Sequence, residues 1–91
     1  MNKRYLEAFA AEARDWRRIG QKHEAEAAST ADVKARTRLM ADANNAYTLA
    51  LGVEYAVIKV AKRFSPSFDE AKFRANCNAE NEAGLDHSLS G

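Results

Sequence analysis

The residues able to do chemistry in this chain are few, and their spacing favours binding over catalysis. Histidine occurs twice, as His23 and His87, and cysteine once, as Cys77. Nucleophilic catalysis needs a nucleophile, a base and an orienting group within reach of one another. His23 falls near the end of a helical pattern and His87 near the C-terminus, and neither stands in a recognisable catalytic context. Cys77 lies in a short segment with an apolar row, the setting of a packed thiol. His23 and Glu26, three apart on one helix, could share a metal ion, but two ligands do not make a site. The repeated Glu-x-x-His arrangement of dimetal bundles is missing, as is a Gly-rich phosphate loop. The expectation is a non-enzymatic protein with no cofactor and no metal.

A richer set lies in the middle of the chain. Asn44, Tyr47, Thr48, Tyr55, Lys59 and Lys62 stand among Leu51, Val57 and Ile58. Tyrosine can stack on a base, and Lys or Arg can neutralise a phosphate. Tyr47, Tyr55, Lys59, Asn44 and Thr48, together with Arg36 and Arg38, are therefore candidate ligand-binding residues. They would line a pocket between two copies of the chain and hold a nucleotide-like, phosphate-bearing molecule. Glu54 in the same stretch has a structural reading, because a buried carboxylate must be paired. Arg17, Arg18 or a basic residue of another copy could pair with it and fix the register of the helices. Trp16, flanked by Arg14, Arg17 and Arg18, suits core packing or an interface anchor.

Helices must position these side chains. Nineteen alanines and a single proline in 91 residues make an all-α chain the strong expectation and exclude an all-β or Rossmann-type fold. From Lys3 to about Ala28, Leu6, Phe9, Ala13, Trp16, Ile19 and His23 recur at helical spacing, with charged residues between them. Gly20 weakens this helix or permits a close approach to another. Ser29 or Thr30 can cap a second helix from about Ala31 to Phe64, and so short a connection gives an antiparallel hairpin. This helix carries two apolar stripes, one through Met40, Leu51 and Ile58, the other through Ala43, Ala46, Ala50, Val53 and Val57. One neighbour can cover only one of them. From Ala46 to Ala61 the helix is apolar around most of its circumference, which points to a homodimer or higher oligomer. Leu51, Ile58, Val57, Met40 and Trp16 are the candidate interface residues, and Leu51→Asp is expected to unfold or dissociate the protein.

Pro66 ends the long helix. Ser67 and Glu70 then form a capping box for a short third helix, about 68–79, followed by a loose tail over 80–91. The expected unit is thus one helical domain, 1–79. Roughly 12 basic residues face 8 acidic ones up to Arg63, against 2 and 5 beyond it, a bias too mild for a general DNA binder. One cysteine, no secretory leader and no long apolar run suggest a cytoplasmic protein with no membrane partner.

The segment Ser65 to Cys77 resembles the C-terminal signature of small phage and prophage proteins, which reads Asn-Pro-x-Phe-Asp-x-x-x-Phe-x-x-Ala-Cys after a long helix. Pro66, Phe68, Asp69, Phe73 and Cys77 match, whereas Ser65 and Asn76 depart from it. The resemblance implies a phage accessory protein and transfers no function to particular residues. In that setting a helical oligomer could inhibit host defence by sequestering a phosphate-bearing signal. Alternatively its surface could occlude a host protein complex, or it could serve as a weak nucleic-acid-binding or structural phage protein.

Overall fold

A computed structural model describes residues 2–79 of the chain. Among them are three helices and no strand: α1 (Lys3–Ala28), α2 (Val33–Phe64) and α3 (Glu70–Cys77). α1 and α2 form an antiparallel hairpin, in which Arg17 meets Glu54 and the Tyr47 ring lies against Gly20. The 32 residues of α2 account for the 49 Å long axis of the molecule.

Small side chains hold the hairpin together. Ala10, Ala13, Gly20 and Ala27 of α1 are buried, as are Ala43, Ala46, Ala50 and Ala61 of α2. Their spacings of three, four, seven and eleven keep them on one face of each helix, as in a coiled-coil seam, and a seam without large side chains lets two helices approach closely. At Gly20 the approach is tight enough that a Cβ would stand 2.7 Å from the Tyr47 ring. The larger core residues gather at the end where α3 folds back: Val57 and Ile58 pack with Phe73 and Cys77, and Leu6, Val53 and Phe68 close over them.

This seam corrects the expected interface. Val57 and Ile58 are only 6% and 5% exposed within a single chain, so they belong to its core and cannot meet a second copy. Leu51 is 42% exposed and Met40 is also exposed, because each projects roughly 100° away from the alanine row. Within one chain, Leu51 at 42% exposure is not a core residue, so the unfolding half of the Leu51→Asp expectation has no support in the packing of a single chain. Trp16 is half-buried.

The helix starts also differ from expectation. Ser29 and Thr30 both turn their hydroxyls back to the Glu26 carbonyl, so they finish α1, and α2 begins after Asp32. Arg36 ties the turn from the other side by donating twice to the Thr30 carbonyl. At α3 the cap is Asp69, whose carboxylate accepts from the Lys72 amide at 3.0 Å. Ser67 is spent on Ser65, and the Glu70 carboxylate is drawn to Lys62 and Arg74, two cations that outcompete a backbone amide. The tail 80–91, with His87, lies outside the described residues. No helix among those described is long and apolar enough to cross a membrane.

Candidate functional site

The residues expected to line a ligand pocket are strung along α2. Arg36 and Lys59 stand twenty-three residues apart, about 35 Å of helix. Arg36 is committed to the Thr30 carbonyl. Tyr47 is half-buried against Gly20, where burial and the neighbouring Glu24 carboxylate push its phenol above the ordinary value. Thr48 donates to the Asn44 carbonyl at 2.9 Å, which occupies its hydroxyl within the helix. Tyr55 is exposed on its outer side and carries the Arg74 guanidinium 4.9 Å above its ring. Arg38 and Lys59 are exposed and form no ion pair among the described residues. One chain does not gather these groups.

A different set does converge. Glu54, 1% exposed, accepts a close hydrogen bond from Arg17, a longer one from Asn78 Nδ2 at 3.4 Å, and faces Arg74 Nη1 at 3.9 Å. Beside it Arg14, also buried, donates to the Asn76 carbonyl at 3.0 Å. These bonds join all three helices. Cys77 is fully buried within the cluster, and desolvation followed by the Glu54 charge pushes its thiol up to about 12. A thiol held protonated in this way is a poor nucleophile. The cluster therefore docks α3. Sequence reasoning offered Arg17 as one of three possible partners of Glu54, beside Arg18 and a basic residue of another copy, and missed Arg14, Arg74, Asn76 and Asn78, whose polar heads meet only once α3 has folded back. No group of three His, Cys, Asp or Glu among the described residues is arranged to hold a metal.

The contacts of α3 define one flank of the hairpin: Arg14 and Glu54 in the cluster, Tyr55 under Arg74, and Lys62 bonded to Glu70 at 2.7 Å. Stepping from the alanine seam in the opposite direction leads to the other flank, which nothing among the described residues covers. Tyr5, Phe9, Trp16 and Ile19 recur there along α1, and Leu49, Val60 and Phe64 along α2. Most of these large side chains are exposed, Phe64 by 75%. Sequence periodicity did find Phe9, Trp16, Ile19 and Phe64, and assigned them to apolar stripes. It could not show that alanines would fill the seam and leave these residues outside.

Comparisons of the chain with protein-family models, curated proteins and solved structures find no match. Four of the five residues shared with the phage-type signature have visible structural tasks here. Asp69 caps α3, Phe68 and Phe73 lie with ring centroids 6.0 Å apart, and Cys77 is core.

Proposed function

We propose that the chain is a non-enzymatic binding protein that works as a two-fold homodimer, closing the open flank of one hairpin on the same flank of a second copy. The observation behind this reading is the continuous apolar flank itself. The exposed parts of Tyr5, Phe9, Ile19, Leu49, Val60 and Phe64 amount to roughly 500 Å², near the upper limit of what a monomer leaves bare. With its rims such a face approaches the ~800 Å² per partner of a stable interface. Charge complements it. Glu12 edges the flank on α1 and Arg63 edges it on α2, and neither forms an ion pair among the described residues. A two-fold axis along the hairpin brings α1 of each copy over α2 of the other, with Glu12 approaching Arg63 twice. The product is a four-helix bundle whose α3 helices lie outside.

In the phage setting that Ser65 to Cys77 resembles, such a dimer acts in fixed ratio with what it binds, blocking a host system by occupation. Native mass spectrometry of the purified chain tests the dimer: the mass should be twice 10.1 kDa. Phe9→Lys combined with Phe64→Lys should give a folded monomer, whereas Leu51→Lys, near the α3 flank, should leave the dimer intact. A monomeric wild-type chain, or a dimer indifferent to the double substitution, overturns the reading. Mass in excess of the protein that is lost on denaturation would instead favour a signal held near Tyr55 and Lys59.

A further inference from the structure

A cleft of about 240 Å³ opens between the first turn of α1 and α3, at the opposite edge of α3 from the contact with Tyr55. Its apolar lining is Leu6, Phe68 and Phe73, and its polar lining is Lys3, Glu7, Asp69, Lys72 and Asn76. The volume lies below the usual range for drug-sized ligands, so the occupant must be small.

The polar groups narrow its chemistry. Asn76 is 8% exposed, and its side-chain oxygen is buried with no hydrogen-bond partner. Its backbone carbonyl already serves Arg14. An amide oxygen left bare in this way calls for a donor. Asp69 is occupied as the α3 cap, accepting from the Lys72 amide. Lys3, Lys72 and Glu7 are different: their side chains form no hydrogen bond or ion pair among the described residues. The cleft thus offers two free cations, one free anion and one buried acceptor around an apolar floor.

We infer that this cleft binds a free apolar α-amino acid as its zwitterion. The ammonium donates to Asn76 Oδ1 and pairs with Glu7, the carboxylate lies between Lys3 and Lys72, and a leucine- or phenylalanine-like side chain packs among Leu6, Phe68 and Phe73. An aromatic acid would leave Glu7 and the Asn76 oxygen unanswered, and an amine would leave both lysines unanswered. The site is independent of the open flank, which lies on the other side of the hairpin.

Isothermal titration of the full chain with L-leucine and L-phenylalanine tests the inference, alongside 3-phenylpropionate, which lacks the ammonium, and phenethylamine, which lacks the carboxylate. At least one amino acid should bind saturably, and both deficient analogues should bind about tenfold or more weakly, the effect of one lost charge-assisted bond. Glu7→Gln changes a half-buried side chain and Lys72→Gln an exposed one; each should weaken the amino acid severalfold while the far-ultraviolet circular dichroism is unchanged. Absence of binding by either amino acid overturns the inference. So does equal binding of all four compounds, or an amino-acid affinity that both variants leave unaltered.

Discussion

Both flanks of the hairpin carry large apolar side chains, and they meet different fates. On one, α3 folds back, and the covering is specified by charge as well as by apolar contact: Glu54 with Arg17 and Arg74, Arg14 with the Asn76 carbonyl, and Lys62 with Glu70. On the other, Phe9, Ile19, Leu49, Val60 and Phe64 stand in the open. The difference teaches that hydrophobicity selects which residues could be covered, while the placement of charge selects what covers them. The α3 flank has two buried ions: Glu54 is met by Arg17 of α1 and by Arg74 and Asn78 at α3, and Arg14 by the Asn76 carbonyl. The open flank has none inside it and a complementary pair at its rims, which suits a second copy.

The comparison breaks most sharply at Glu54. Glu54→Leu removes the only carboxylate facing Arg17 within the cluster and should cost about 3 kcal/mol in urea unfolding, because the half-buried guanidinium is left without its counter-ion. A companion Arg17→Met should recover a large part of that loss, since replacing both partners removes the stranded charge. If the single change costs less than about 1 kcal/mol, the Glu54 carboxylate does not hold the three helices together.

The seam beneath both flanks gives the next largest effect. Gly20→Ala places a methyl 2.7 Å from the Tyr47 ring and should destabilise the hairpin by about 1–3 kcal/mol, as overpacking does. Gly52→Ala meets nothing within 4 Å and should stabilise it by about 0.5–1 kcal/mol. Opposite signs in thermal unfolding would confirm that the helices approach closely at Gly20, in the seam, and that Gly52 lies outside it. Leu51→Asp should change stability by about 0.5 kcal/mol or less, the ordinary range for a surface position.

The smallest effects are those of pH. Cys77 has its folded value raised from 9.0 to about 12, so the folded chain holds this proton more tightly than the unfolded one. Stability should be unaffected by this thiol below about pH 9 and fall as pH rises from there toward 12. Cys77→Ala should flatten that alkaline decline in a series of melts. Glu70 behaves inversely: hydrogen bonds from Lys62 and Arg74 hold it below the usual carboxylate range. Its contribution is present at neutral pH and lost as pH drops through that lowered value, and half-exposure keeps it modest.

The bounds of α1, the short turn and the long α2 were legible because helix periodicity, alanine content and Pro66 all agree on them. Which face of α2 turns inward was not, since two apolar stripes compete and transfer free energy favours the one with larger side chains. Close approach decides otherwise: alanines with Gly20 admit the neighbouring backbone, and Leu51 and Met40 are turned out. That Glu54 pairs with a cation followed from the rule that a buried carboxylate needs one. Asn76 and Asn78 gave no comparable signal, because an amide on a short helix looks the same in sequence whether it faces solvent or the core.

Isotope-filtered NMR on a mixture of labelled and unlabelled chains tests the contrast between the flanks most directly, by recording contacts that pass only between copies. Intermolecular signals linking Tyr5, Phe9 or Trp16 of one copy to Val60 or Phe64 of another are the predicted result. Signals confined to Met40, Leu51 and Tyr55, or none at all at concentrations where the chain is fully helical, would contradict the account.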